Sequence, residues 1–201
     1  MGSPTTHSNP NLILASTSVH RRKQLEEIGL FPFCIAPLAD EASIADTAFS
    51  PREVAEKRAQ LKARSVAAAH PDSIVIGADQ LVELGGKVLG KPHYVENAVL
   101  QINAMSGKTH HLHTSMVLVF GAREITHTDT TSLKMHELAA EEIGAYVRMD
   151  QPLDCAGSYK IEDKGLWLFE KIDSADYTAI RGLPLLALIN GLRKFGYSFL
   201  S

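Results

Sequence analysis

Residues 73–92 read SIVIGADQLVELGGKVLGKP, and the fold turns on how that stretch divides. Ser73 to Asp79 is a near-continuous apolar run, the composition of a strand covered on both faces. Leu81 to Leu89 folds back through Gly85-Gly86, a dipeptide suited to a hairpin turn. The expected end of the core strand is therefore Asp79-Gln80, with Lys91 following in a Gly-Lys-Pro turn. A carboxylate at the end of a buried strand is costly unless a metal, a cation or a proton about to be taken compensates it. The hairpin returns the chain toward its start, so Asp79 and Lys91 either face one cleft or form an ion pair that ties the hairpin down.

Working toward the N-terminus, Asn11 to Ala15 (NLILA) is a short strand-type run, and Ser16-Thr17-Ser18 supplies helix-capping residues. A helix is expected over 19–28, with Leu25 and Ile28 on one face and Gly29 as its stop. Phe31 to Pro37 reads as a second strand. Asp40 to Asp46 has no period and is a loop rich in carboxylates. Ser50-Pro51-Arg52-Glu53 opens a helix that runs to about residue 69, with a Ser cap, Pro in the first turn and Glu three residues after the cap.

Toward the C-terminus, the pattern predicts a helix over 94–105, two long strands between 108 and 135 joined near Gly121, and a helix over 139–148. A mixed segment at 153–172 and a closing helix over 184–195 follow. No internal repeat is present. Helices interleaved with strands, plus an antiparallel pair, predict an α/β fold: a mixed central sheet flanked by helices, with an antiparallel hairpin extension. Residues 1–10 read as a disordered tail and 11–201 as a single domain.

The chain has 201 residues, enough for one sizeable core. Its 45% hydrophobic and 21% charged content is that of an ordinary globular protein. A net charge of -3 provides no field to gather a long polyanion, so no nucleic-acid partner is expected. No apolar run approaches a membrane span and the N-terminus lacks a signal pattern, which makes the expected setting cytoplasmic, without a membrane partner. Cys34 and Cys155 have neither disulfide-framework, metal nor redox spacing. Gly2 with Thr6 matches a loose myristoylation pattern, read here as part of the tail.

Three groups of residues carry chemical promise. The first is Ser16 to Lys23 (STSVHRRK), where hydroxyls and free backbone N–H groups meet a helix start with Arg21 and Arg22 in the first turn, the outline of a phosphate cradle. It lacks the glycine-rich Walker pattern, and taken alone it is more simply read as a capped surface helix with basic residues. The second is Asp79 with Lys91. The third is Glu41, beside Asp40, with Lys62 on the next helix; Mg²⁺ takes one or two carboxylates beside substrate phosphates, although most loop acids are merely solvated. His111 and His113 share a strand face and His110 takes the other, without an evident third metal ligand, so exposed polar strand positions account for them. Trp167 and Tyr159 suit base stacking, but an aromatic in a strand is more often core.

The pieces fall in a recognisable order. LILASTSVHRR (12–22), DE (40–41), QLKA (60–63), GADQ (77–80), LGKP (89–92), SGKTH (106–110), DCAGSYKIE (154–162) and GLPL (182–185) resemble the motifs of the Maf-like proteins from residue 11 to 195. The resemblance implies a Maf/inosine triphosphatase-like fold with two lobes around a cleft. It also implies a nucleoside triphosphate pyrophosphatase that uses a divalent metal, Mg²⁺ or Mn²⁺, and releases a nucleoside monophosphate and pyrophosphate. By similarity Asp79 is the proton acceptor, Ser16, Arg21, Arg22, Lys62 and Lys91 hold phosphates, and Glu41 and Asp79 serve the metal.

Specificity positions of the family fall on His20, Gln80 and Glu162. One branch acts on dTTP and UTP and reads Thr after the Asp; another acts on 7-methyl-GTP and reads Gln there and Glu after the SxK, as here. Glu162 accepts but does not donate, which suits the N1–H and exocyclic amine of guanine. His20 departs from the Trp usual in the second branch. The family also implies homodimers and an association with inhibition of cell division. Alternatives are therefore a dTTP/UTP pyrophosphatase, a nucleotide-binding regulator with little turnover, or a phosphatase that removes the terminal phosphate.

Overall fold

The computed structural model describes residues 9–44 and 48–200. Most of the expected tail, the myristoylation pattern and the end of the acidic loop, including Asp46, lie outside the described residues. The chain forms β1 (Leu12–Leu14), α1 (Val19–Glu26), β2 (Phe33–Cys34), α2 (Pro51–Ala67), β3 (Ile74–Leu84), β4 (Lys87–Leu89), α3 (Val95–Met105), β5 (Thr109–Phe120), β6 (Arg123–Met135), α4 (Ala140–Asp150), β7 (Phe169–Asp173) and α5 (Leu185–Lys194). These make one mixed sheet of order β2-β1-β3-β5-β6-β7, with β4 also paired to β3. Among the described residues no helix is long and apolar enough to cross a membrane.

The core strand does not end at Asp79-Gln80. β3 continues to Leu84 because β5 pairs with it without a break from Val75 to Glu83. What changes at Asp79 is the partner on the other edge. Parallel β1 pairs residues 74–76 and antiparallel β4 pairs 82–84, so no strand pairs that edge over 77–81. Gly85 and Gly86, at φ 57° and 81°, turn the chain from β3 into β4, a left-handed pair that side chains disfavour.

Helix α2 covers one face of the sheet. Its start is the predicted capping box, with the Glu53 carboxylate accepting from the Ser50 N–H at 2.9 Å. Val54, Ala55, Ala59, Ala63 and Val66 are its buried apolar face, mostly small residues that permit a close approach. Gly77 completes the fit, since a Cβ there would sit 2.5 Å from the Ala59 carbonyl oxygen. The opposite face carries two apolar clusters. One joins Ile76, Ala78 and Met116 to Leu25 of α1 and Leu188 of α5; the other joins Val82 and Leu112 to Ile102 of α3 and Ile143 and Val147 of α4. Between them Gln80, Thr114 and Asp129 lie in register across β3, β5 and β6. That polar row separates two lobes.

Other boundaries move for local reasons. β2 shrinks from the expected 31–37 to Phe33–Cys34, because Pro32 and Pro37 cannot donate to a ladder. The histidines differ from the expectation of exposed strand positions. His110 is fully buried, 3.1 Å from the Tyr159 hydroxyl, and burial lowers its pKa to about 4. His113 is also buried, bonded to Thr130, and His111 bonds Ser132. Among the described residues no group of three or more His, Cys, Asp and Glu is placed to hold a metal ion. Trp167 is the reverse case, 66% exposed in a short 3₁₀ turn.

Candidate active site

A cleft of about 760 Å³ opens where the edge of β3 is unpaired. Ser16, His20, Arg21, Glu41, Lys62, Asp79, Gln80, Lys91 and Glu162 all line it. Arg22 does not. A helix turns about 100° per residue, so Arg22 is carried away from the cleft and pairs with Glu26 one turn on at 2.7 Å.

One wall is built by β1 and α1. The Ser16 hydroxyl accepts from the Ser18 N–H at 3.1 Å, and Ser18 caps the helix. The N–H groups of a first helical turn lack intrahelical acceptors, and the helix dipole adds positive potential there. The Arg21 guanidinium is anchored to the Gly182 carbonyl at 3.1 Å. Burial lowers its pKa while Asp79 and Glu41 act to raise it, and arginine remains charged at neutral pH. The wall thus combines the positive end of a helix with an anchored cation, an arrangement suited to an anion.

The second wall is α2 against β3. Gly77 lets the helix approach, and Lys62, only 9% exposed, reaches the strand. Its ammonium donates to Asp79 Oδ1 at 2.7 Å and lies 3.0 Å from Glu41 Oε2. Asp79 is 7% exposed, and its Oδ2 is buried without a hydrogen-bond partner among the described residues. Asp79 therefore pairs with Lys62, not with Lys91, which lines the cleft from the turn after β4. With two of its three hydrogens directed at carboxylates, Lys62 holds the acids in place more than it offers charge to a phosphate. Arg58, one helical turn earlier, also lines the cleft. Its spacing of four from Lys62 was the available signal for it, since residues at i and i+4 share a helix face.

The outer part of the cleft is formed by the 154–162 segment and the short Tyr177–Arg181 turn. His20 Nδ1 lies 2.9 Å from Glu162 Oε1, a contact from α1 to the other lobe. Glu162 keeps 30% of its side-chain surface exposed. Arg181 is paired at both terminal guanidinium nitrogens with Glu27. Cys155 also lines the cleft, but burial and Asp154 push its thiol up to about 12, so it is not a thiolate nucleophile at neutral pH.

A buried carboxylate oxygen with no partner among the described residues, on a side chain that lines the cleft with a second acid and a helix start, suits positioning water or a hard cation beside phosphates. Comparison with known proteins bears on which. The Maf-like protein family model matches residues 11–195. The chain belongs to the Maf-like family. The 7-methyl-GTP pyrophosphatase of Bdellovibrio bacteriovorus is 47% identical to it over 177 residues, covering 88% of this chain and 93% of that protein. Those of Xanthomonas axonopodis pv. citri and Syntrophotalea carbinolica are 44% and 38% identical, each over 188 residues, covering 94% and 92% of this chain and 98% and 94% of theirs. Among solved structures, a HAM1 protein from Coxiella burnetii matches with a TM-score of 0.46 at 11% identity, over 90% of this chain and 98% of that one.

Proposed function

We propose that this Maf-like protein is a cytoplasmic nucleoside triphosphate pyrophosphatase that hydrolyses the α–β phosphate bond of 7-methyl-GTP. The observation that carries the chemistry is Asp79, which lines the cleft with one oxygen clamped by Lys62 and the other buried and without a partner among the described residues. A water held by the Asp79 carboxylate is oriented for attack on the α-phosphorus. As its oxygen bonds to phosphorus, Asp79 takes a proton, the bridging α–β P–O bond breaks, and pyrophosphate leaves. General-base assistance of this kind contributes about 10²- to 10⁴-fold.

The remaining residues handle charge. The α1 N-terminus, Ser16, Arg21 and Lys91 bind the polyphosphate and offset charge as the leaving group departs. Arg22 has no part in this, because it lies outside the cleft. Glu41 and Asp79 supply oxygen donors that fit Mg²⁺ or Mn²⁺; two carboxylates are an incomplete set alone, which suits a cation completed by waters and phosphate oxygens. Such a cation, when bound, neutralises phosphate charge.

Base preference rests on Glu162 and the relatives' shared name. A carboxylate accepts from the N1–H and exocyclic amine of guanine, and a cationic 7-methylated ring favours an acidic neighbour. Cys34 and Cys155 are free thiols, as a reducing compartment requires. The test is product analysis across canonical and 7-methylated nucleoside triphosphates with Mg²⁺ and with Mn²⁺. Pyrophosphate and 7-methyl-GMP are expected. Orthophosphate as first product, or binding without turnover across the panel, would overturn the reading.

A further inference from the structure

Gln80 lines the cleft beside Asp79, yet its hydrogen bonds point elsewhere. Its amide nitrogen lies 2.9 Å from Thr114 Oγ1, 3.0 Å from the Ala179 carbonyl and 3.1 Å from the Ile180 carbonyl. Two hydrogens are thereby distributed over three acceptors. The two backbone carbonyls can only accept, which fixes the end of the amide that faces them. No donor remains for a nucleobase.

The recipient is the Tyr177–Arg181 turn, whose Ile180 and Arg181, with Gly182 behind them, line the cleft. The Ala179 carbonyl accepts from the Gly182 N–H at 2.9 Å, and side chains from the surrounding elements add donors to the carbonyls of the turn. Gln24 of α1 donates to the Thr178 and Leu183 carbonyls at 2.7 and 2.9 Å. Thr114 of β5 donates to Ala179 at 3.0 Å, and Arg21 to Gly182. Ile180 has Gln80.

We infer that Gln80 is a positioning residue, which governs base selection by fixing the Tyr177–Arg181 turn. This rests on the cleft being a nucleotide site. The turn faces the same space as Glu162, and the charge of Glu162 acts on Arg181. A displaced turn therefore changes the shape and field that the base meets. The catalytic carboxylate is less affected, because Asp79 projects to the opposite face of β3 and is held by Lys62; Arg21, anchored to Gly182, is the phosphate-binding group that the turn can move.

Three variants test the inference. Gln80→Met keeps length and removes the donor, while Gln80→Glu replaces the donor with a group that repels both carbonyls. Thr114→Val removes the other side-chain donor to Ala179 from a site that is 1% exposed and outside the cleft. Hydrogen exchange of amides 178–183 is expected to quicken roughly ten-fold in the Gln80 variants and less in Thr114→Val. In step, KM for 7-methyl-GTP is expected to rise roughly ten-fold with a smaller change in kcat, and the ranking of purine over pyrimidine nucleotides to flatten.

Because Thr114 cannot reach a base in the cleft, a flattened ranking in Thr114→Val supports positioning. A ranking altered by Gln80→Met but untouched by Thr114→Val, with 178–183 as protected as in the unmodified protein, would overturn it. So would unchanged exchange and ranking in all three. Exchange is read without turnover, so a failure of the pyrophosphatase reading would leave the result on the turn standing.

Discussion

Two polar rows cross the sheet at one level, one on each face, and they are completed differently. On the α2 face Asp79, Ser115 and Thr128 lie in register; on the other face Gln80, Thr114 and Asp129 do. The first row is served by charged groups: Lys62 on Asp79, and Glu56 near the Thr128 hydroxyl at 3.4 Å. It leaves Asp79 Oδ2 bare. The second row works through an amide and a hydroxyl that close on the carbonyls of one turn. Neighbouring residues of a strand project to opposite faces, so one strand supplies both a group poised for proton transfer and a group committed to position. An unsatisfied buried oxygen is expensive, which makes the bare one the place to look for chemistry.

The comparison breaks most sharply at the first row. Asp79→Asn keeps the shape and an oxygen for Lys62 but cannot take a proton from water. Turnover of 7-methyl-GTP is expected to fall by about 10²- to 10⁴-fold, with nucleotide affinity largely kept. Steady-state kinetics beside equilibrium binding to the variant measure the two separately. Full turnover would take Asp79 out of the base role and leave the bare oxygen without a purpose in catalysis.

A second test charges the face that is kept neutral. His110 shares the face of Gln80 and Thr114, is buried, and has its pKa lowered to about 4 by burial. The unfolded chain binds the proton near the ordinary histidine value of 6.5, so between that value and 4 the unfolded state holds more protons than the folded one. Stability from this group is present above pH 6.5 and lost as pH falls toward 4, by up to roughly 3 kcal/mol. His110→Phe sacrifices the bond to Tyr159 but removes the proton site. Denaturant unfolding at pH 7.5 and pH 4.5 should therefore show the variant losing less stability on acidification than the parent. Equal losses would mean that water reaches His110.

Much of this architecture was legible in the sequence, and the exceptions share a cause. The capping box at Ser50-Glu53, the Gly85-Gly86 turn and the hydroxyl-rich start of α1 are local, set by residues within a few positions of one another. The continuation of β3 through Asp79-Gln80 is not local: it depends on β5, dozens of residues later, pairing across the apparent boundary. Arg22 was indistinguishable from Arg21 in composition, and only helix phase sent it outward to Glu26. Lys62 was expected to serve phosphate, yet its buried position between Asp79 and Glu41 follows from Gly77 admitting α2. The burial of His110 likewise depends on Tyr159 and Phe169, which stack around it from beyond β6.

The smallest expected effect concerns Glu162, at the rim between the two rows. Glu162→Gln removes the charge and retains an oxygen that can still accept from His20, so it separates electrostatics from the contact seen at 2.9 Å. The variant offers a guanine edge one acceptor where the carboxylate offers two, and it no longer favours a cationic ring. The kcat/KM ratio of 7-methyl-GTP to UTP should narrow by roughly ten-fold, with kcat on 7-methyl-GTP little changed. Measuring kcat/KM for 7-methyl-GTP, GTP, UTP and dTTP on the same preparation decides it. An equal loss of kcat on every nucleotide would move Glu162 from base reading to the charged machinery around Asp79, and an unchanged ratio would leave selection to the turn that Gln80 holds.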